Sequence, residues 1–117
     1  MSKREDTVIL QDIVEAIERV ETYTKGMSYQ QFISDRKTQD AVVRNLEIVG
    51  EATKNLTEKT KQQNPDVSWK SMAGMRDKLI HGYFGVNYDV VWTIINEDLE
   101  ELSSSLELVI EKLQSSK

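Results

Sequence analysis

The sequence predicts an all-α fold, an up-and-down four-helix bundle with a short extra helical turn. Only one proline and five glycines occur among 117 residues, and repeated strands and turns need more chain breakers than that. Apolar residues recur every three or four positions along four long segments, which is the period of amphipathic helices. The length suits one core and leaves no room for two, so we expect residues 1–117 to form a single domain.

The first two predicted elements are a long helix over about residues 6–25 and a helical turn over residues 28–33. Gly26 is a suitable stop for the helix, and Ser28 can cap the turn. The apolar face of the helix comprises Ile9 or Leu10, Ile13, Ile17 and Val20, and the turn is anchored by Tyr29, Phe32 and Ile33.

The second long helix is predicted over about residues 38–63, before a clear break at residues 64–66, Asn-Pro-Asp. Gly50 lies in its middle, where glycine costs about 1 kcal/mol relative to alanine. A glycine there usually allows a neighbouring helix to approach closely, so we expect tight packing at this position. The apolar stripe of this helix is Val42, Leu46, Val49, Thr53 and Leu56.

Two further helices complete the predicted bundle. The third begins near Ser68 as its N-cap and ends at His81, because two glycines bracket the aromatic pair that follows. Asn87 opens the last helix, predicted over about residues 88–114. That helix would be about 40 Å long at 1.5 Å per residue, which exceeds the needs of such a core, so we expect its end to serve an oligomer contact.

Composition excludes several kinds of chemistry. The chain has no cysteine, which removes disulfides, thiolate metal sites and cysteine nucleophiles together. His81 is the single histidine, so a multi-histidine metal site is excluded, and no glycine-rich phosphate loop is present. We therefore expect neither a metal nor a cofactor. The longest apolar runs are too short for a membrane span or a signal peptide, so we expect a cytoplasmic protein without membrane contact.

Charge is unevenly distributed along the chain. The net charge is −5, which argues against nonspecific binding to long nucleic acid. Residues 34–81 carry nine basic and seven acidic side chains, a balance of +2, whereas the remainder carries six and thirteen, a balance of −7. The middle of the chain is thus the surface better suited to a polyanion, unless the difference is accidental.

Residues 75–84 gather the side chains best suited to chemistry. On a regular helix Arg76 and His81 point about 140° apart, so they share a face only where the helix ends, as Gly82 indicates. The helix dipole favours the protonated form of a histidine in the last turn, which suits general acid–base catalysis, and arginine can hold a phosphate through two hydrogen bonds. The alternative is structural: His81 caps the helix, and Arg76 pairs with Asp77 or a neighbouring helix.

The motif formed by Arg76, four intervening residues, His81 and then Tyr83 resembles the signature of the HEPN superfamily. These proteins are small helical-bundle ribonucleases and nucleotide-binding modules, and the resemblance is closer to their HepT-like toxin branch. Asp77 stands where the family often has asparagine and accepts aspartate. Further stretches that resemble the branch are residues 44–52, 67–69, 72–76, 90–92 and 98–99.

The resemblance implies a metal-independent RNA endonuclease that acts as the toxin of a toxin–antitoxin pair. Arg76 and His81 would be its catalytic residues. Attack by the RNA 2′-hydroxyl needs a base, an acid and a cation, and one histidine per chain is short of that requirement. A two-fold homodimer would bring both copies of the motif to one cleft, as in HEPN ribonucleases.

Four charged residues are predicted to support this site. Lys78 would add positive charge beside Arg76, with Asp77 between them. Glu47 and Glu51 lie one turn apart on the second long helix, where they are placed to orient Arg76 or His81, the alternative being solvated surface charge. Lys70, Arg36 and Arg44 are further candidates for a local cationic surface.

The resemblance also implies a partner, a small nucleotidyltransferase antitoxin of the MntA type that transfers AMP to Tyr83. A rival hypothesis is a non-catalytic HEPN nucleotide-binding or adaptor module that docks a nucleotidyltransferase. Such modules are marked by loss of the arginine or the histidine, and this chain keeps both. A third hypothesis is a helical oligomerisation protein in which His81 has no role.

Overall fold

The computed structural model describes residues 3–80 and 85–115. Within these ranges β pairing is limited to a single antiparallel bridge between Ile80 and Val86, and the predicted all-α bundle is confirmed. The elements are α1 (Lys3–Thr24), α2 (Tyr29–Ile33), α3 (Arg36–Lys54), α4 (Glu58–Gln63), α5 (Trp69–Ala73), α6 (Met75–Leu79), α7 (Tyr88–Thr93), a π-helical turn (Ile94–Asp98) and α8 (Leu99–Ser115).

Helix α3 is the central element of the bundle. It packs along α1 and contacts α2, α5 and α6, while α1 packs along α8 on its other side. The predicted apolar faces supply the core, because every residue of the stripe on α1 from Leu10 to Val20 is fully or almost fully buried. Fully buried side chains in the core include Leu10, Ile13, Ile17, Leu46, Leu79, Leu99 and Leu106.

Helix caps explain where several elements begin. The Ser28 hydroxyl accepts a hydrogen bond from the Gln31 amide (3.1 Å), and the Gln31 side chain accepts one from the Ser28 amide (2.8 Å). This reciprocal capping box confirms the predicted cap of α2. The Asn87 side chain accepts from the Val90 amide at 3.2 Å, which confirms the predicted start of α7.

Helix α3 starts at Arg36, two residues before the predicted start, because Asp35 caps it. The Asp35 carboxylate accepts hydrogen bonds from the Thr38 amide (3.0 Å) and the Thr38 hydroxyl (2.8 Å). These bonds, with the backbone one the larger cause, hold the pKa of Asp35 below its ordinary value. Ser68 is the N-cap residue of α5, as predicted, but its side chain makes no cap hydrogen bond.

The second predicted helix, over residues 38–63, is in fact two helices separated by residues 55–57. The break between the two helices is caused by a contact with a residue that lies far away in the sequence. The carboxylate of Asp6 on α1 is 1% exposed and accepts hydrogen bonds from the Thr57 amide (3.2 Å) and hydroxyl (2.6 Å) and from the Thr60 hydroxyl. Thr57 also caps α4, so the chain turns where α1 supplies a buried acceptor.

The third and fourth predicted helices also differ from the expectation. The third is divided at Gly74 into α5 and α6, and it ends at Leu79 rather than at His81, because Ile80 adopts an extended backbone that pairs with Val86. The last helix continues to Ser115 but contains a π-helical turn.

Gly50 lies where α3 meets the junction of α5 and α6. A β-carbon built at Gly50 would stand 3.2 Å from the Met75 β-carbon and 3.3 Å from the Met72 carbonyl oxygen. Both distances are shorter than ordinary van der Waals contacts, and neither atom is the end of a flexible side chain. The predicted close approach is therefore confirmed.

We predict that Gly50→Ala lowers the free energy of unfolding by about 1 kcal/mol. Alanine improves helix propensity by up to about 1 kcal/mol, but forcing a methyl group into packed atoms costs about 1–3 kcal/mol. Urea unfolding followed by circular dichroism measures the difference. Gly74→Ala is the matched control, because its nearest atom would be at 3.4 Å and no loss is expected. Equal stability of the two variants would contradict the packing argument.

Candidate active site

Arg76 on α6 is the cationic centre of the candidate site. Its side chain is 68% exposed, and its Nε lies 3.6 Å from Oε2 of Glu47 on α3, whose side chain is 26% exposed. Glu47 precedes Gly50 by three residues and so shares its face of the helix. The close approach at Gly50 thus brings the Glu47 carboxylate within reach of α6.

The ion pair contributes more to geometry than to stability. A pair this exposed is worth about 0–1 kcal/mol. The contact engages Nε, which leaves the two terminal nitrogens of Arg76 for an anion, and a guanidinium can hold a phosphate by two parallel hydrogen bonds. The arrangement therefore leaves Arg76 exposed, with its two terminal nitrogens directed away from the contact with Glu47 and able to bind an anion.

The residues on either side of positions 81–84 pair with each other. Ile80 and Val86 form the antiparallel bridge, and the Asn87 amide donates a hydrogen bond of 2.7 Å to the Leu79 carbonyl. Gly85 has a φ of 87°, a left-handed conformation that favours glycine. These contacts fix the end of α6 against the start of α7. The predicted site residues His81 and Tyr83 belong to positions 81–84 and lie outside the described residues.

Lys78 lies on a different side of α6 from Arg76. Two residues correspond to about 200° around a helix, and the Lys78 ammonium donates a hydrogen bond to the Ser71 hydroxyl of α5. We expected Lys78 to add positive charge beside Arg76. The structure does not bring these two side chains together. Asp77 lies between them and is exposed.

The other predicted site residues on α3 also differ in whether they lie on the side of the helix that faces Arg76. Glu51 is exposed and pairs with Lys54 of its own helix at 3.2 Å. Of the two glutamates predicted to orient Arg76, only Glu47 pairs with it. Arg44 is exposed and precedes Glu47 by three residues, which places it on the same side of α3. Arg36 is eleven residues from Glu47, about 16 Å along the helix axis.

Contacts that the sequence did not predict anchor α7 against α2. Trp92 packs against Tyr29 and Phe32 of α2, with ring centroids 6.0 and 5.1 Å apart. The Tyr29 hydroxyl donates a hydrogen bond to the Asp89 carboxylate, which raises the pKa of Tyr29. The aromatic spacing on α2 was visible in the sequence, but the pairing with a helix sixty residues away was not.

The described residues contain no group of three or more His, Asp or Glu side chains able to hold a metal ion. A search of the same residues finds no helix long and apolar enough to cross a membrane.

The observed fold is that of a small all-α protein, and comparison with known proteins places it in the HEPN superfamily. A family model described as "Ribonuclease HepT-like" matches residues 13–109. The chain belongs to this HepT-like ribonuclease family, as the sequence analysis predicted.

Individual relatives match over almost the whole chain. A Thermococcus cleftensis protein named "Probable ribonuclease HepT" is 47% identical over 90% of this chain and 96% of its own length. A Methanocaldococcus jannaschii protein named "Putative RNase" is 40% identical over 97% of this chain and 94% of its own length. No solved structure matches the chain.

We predict that Glu47→Gln releases the Arg76 side chain. Removing the carboxylate charge should shift the Arg76 Nε–H resonance and speed its hydrogen exchange, while the free energy of unfolding changes by less than about 1 kcal/mol. Side-chain NMR of arginine-labelled protein measures this. Glu51→Gln is the matched control and should leave the resonance unchanged. An identical Arg76 spectrum in both variants would contradict the assignment of Glu47 as the group that holds Arg76.

Proposed function

We propose that this chain is a metal-independent RNA endonuclease that acts in the cytoplasm as the toxin of a toxin–antitoxin pair. The observation that carries the proposal is an exposed Arg76 that is paired with Glu47 and precedes His81 by five residues in the sequence. Membership of the HepT-like ribonuclease family supports RNA as the substrate. In this proposal residues 1–117 work as one domain.

The proposed reaction uses the nucleophile that RNA carries. A base removes the proton of the 2′-hydroxyl, and the 2′-oxygen attacks the adjacent phosphorus. The bond from phosphorus to the 5′-oxygen breaks, and that oxygen takes a proton from an acid. The products are a 2′,3′-cyclic phosphate and a 5′-hydroxyl, so no water or metal ion takes part in the step.

The residues divide these tasks by chemistry. His81 exchanges the protons, because an imidazole accepts and donates near neutral pH. Arg76 binds the nonbridging phosphate oxygens and stabilises the negative charge that grows on them. Glu47 keeps the guanidinium in place without neutralising its terminal nitrogens. Lys78 faces another surface and has no part in this step.

A homodimer completes the proposed site. The mechanism needs two acid–base groups, and each chain holds one histidine. Two-fold symmetry places the same face of both protomers together, so an exposed Arg76 on that face would meet its counterpart across a cleft. Four cationic groups in one cleft would attract RNA despite the net charge of −5.

The proposed antitoxin is an MntA-type nucleotidyltransferase that modifies Tyr83. The tyrosine oxygen would attack the α-phosphorus of ATP and release pyrophosphate, with the phenolic proton passing to the partner enzyme or to solvent. The product adds a negative phosphodiester and an adenosine beside Arg76 and His81. The charge offsets the two cations, and the nucleoside occupies the cleft.

We predict that His81→Ala and Arg76→Ala each lower RNA cleavage by about 10²–10⁴-fold. Arg76→Lys should recover only part of the rate, because a lysine ammonium cannot form the two parallel hydrogen bonds of a planar guanidinium. Cleavage of single-stranded RNA in EDTA is the assay, with circular dichroism to verify folding. Arg19→Ala, which removes an exposed arginine paired with Glu15 on α1, is the control for a lost surface charge and should retain activity. Full EDTA-resistant activity in His81→Ala would exclude the mechanism.

The dimer predicts that an inactive chain silences the native chain with which it pairs. When native and His81→Ala chains are mixed in equal amounts and re-equilibrated, the mixed dimers hold one histidine where the mechanism needs two, so activity per native chain should fall to about half, whereas independent sites would leave it unchanged. Light scattering should give about twice the 13.5 kDa of one chain. A monomer with full activity would contradict the shared site.

The antitoxin proposal predicts that Tyr83→Phe is toxic but escapes control. Incubation with ATP, magnesium and the cognate nucleotidyltransferase should raise the intact mass of the native chain by one or more AMP units and silence cleavage. The phenylalanine variant keeps the ring and loses the acceptor oxygen, so its mass and activity should not change. Modification and silencing of this variant at the same position would refute the role of Tyr83.

A further inference from the structure

Arg44 on α3 is an exposed arginine without a carboxylate partner. Its guanidinium forms no salt bridge with any residue that the structure describes. Two other arginines are paired, Arg19 with Glu15 and Arg76 with Glu47. Arg44 therefore presents a charged, five-donor group to solvent, where an anion from outside the chain can reach it.

The position of Arg44 on the helix puts it next to the Arg76–Glu47 pair. A step of three residues toward the start of a helix turns the side chain by about 60°. Gly50 faces α6, Glu47 lies one such step from Gly50, and Arg44 lies one further step in the same direction. Glu47 thus stands between α6 and Arg44, and its β-carbon is about 5–6 Å from that of Arg44. Two guanidinium groups from different helices flank one carboxylate.

A structural role for Arg44 would show as a pair with a neighbouring carboxylate. Asp40 lies one turn before Arg44 and Glu47 lies one turn after it, and side chains at these spacings can meet. The structure shows neither pair: Glu47 is engaged by Arg76 from α6, and Asp40 forms no salt bridge among the described residues. Arg44 is thus left for a ligand.

Charge favours an anion with two closely spaced negative groups. Arg44, Glu47 and Arg76 together carry a net charge of +1, and the carboxylate between the two cations reduces their mutual repulsion. Asp40 is exposed beyond Arg44 and would repel a further anionic group. The arrangement therefore suits two neighbouring phosphates, one on each arginine, and not a longer row of them along α3.

We propose that Arg44 binds the RNA phosphate next to the one that is cleaved, while Arg76 binds the cleaved phosphate itself. This inference rests on the proposed nuclease function and adds a substrate requirement to it, two consecutive phosphodiesters on one strand. Glu47 sets the spacing between the two cations. Arg44 touches no reacting atom, so it contributes to binding and not to the chemical step.

The test uses two uncleavable trinucleotides that differ by one charge. Both are 2′-O-methyl UpUpU, and in one of them a neutral methylphosphonate replaces one of the two phosphodiesters. Length and bases are therefore the same in both ligands. NMR titration should show that the native chain binds the fully charged trinucleotide about fivefold more tightly, because only this ligand reaches both arginines.

Variants assign this preference to one side chain. Arg44→Ala should bind the two trinucleotides within about twofold of each other, and Arg44→Lys should keep part of the preference, because an ammonium also attracts a phosphate. Arg76→Ala should weaken both ligands. Arg19→Ala removes an exposed arginine of α1, and this matched control should behave like the native chain. Amide spectra verify that each variant is folded.

Two further measurements separate binding from chemistry. Arg44→Ala should raise KM for a cleavable oligouridine about fivefold and leave kcat within about twofold, since the lost contact is the same in the ground state and the transition state. The slope of log affinity against log salt concentration should become shallower by about 0.7, the value for one phosphate contact on a single strand.

Three results would overturn the subsite. One is an unchanged preference for the charged trinucleotide in Arg44→Ala. Another is an equal loss in Arg44→Ala and Arg19→Ala, which would indicate diffuse attraction. The third is equal binding of the two trinucleotides by the native chain, which would remove the subsite and leave the nuclease proposal intact. If the native chain bound neither trinucleotide, the proposed function would fail together with the subsite.

Discussion

The candidate site depends on one packing constraint, the contact of α3 with the junction of α5 and α6 at Gly50. A β-carbon there would meet Met75 and the Met72 carbonyl at 3.2–3.3 Å, so the helices approach this closely only because position 50 has no side chain. The same approach puts Glu47 beside Arg76. It also positions α6, whose last residue, Leu79, accepts a hydrogen bond from the Asn87 amide through its carbonyl. Packing and candidate chemistry therefore share one cause.

Helix α6 separates two surfaces of opposite character. On one side Arg76 is exposed and held by Glu47, and we propose that this side handles phosphate. On the other side Lys78 is joined to Ser71 and shares a surface groove with three exposed carboxylates, those of Asp66, Asp98 and Glu101. The sequence balance of +2 in residues 34–81 and −7 elsewhere is consistent with this division. An exposed arginine on one side of α6 and exposed carboxylates on the other thus coexist in a chain of net charge −5.

Local pattern predicted the parts of the fold that local forces determine. The apolar period identified α1 and the long last helix, the serine at position 28 and the asparagine at position 87 identified caps, and the mid-helix glycine identified a close approach. The break between α3 and α4 was not predictable in this way, because its cause is Asp6, about fifty residues earlier in the chain. The candidate site likewise has features that the sequence predicted and features that depend on contacts between distant residues. Its residue types followed from composition and family resemblance, whereas the pairing of Arg76 with Glu47 rather than Glu51 follows from the packing of α3 against α6 at Gly50.

The central claim is that this chain cleaves RNA through the substrate's own 2′-hydroxyl, and a substituted substrate tests it most directly. An RNA oligonucleotide with a mapped cleavage position is compared, in EDTA, with the same strand carrying 2′-deoxyribose at that position. The account predicts cleavage of the unmodified strand with a 2′,3′-cyclic phosphate end, and no cleavage at the substituted position. Cleavage at the 2′-deoxy position, or activity that disappears in EDTA and returns with magnesium, would contradict it.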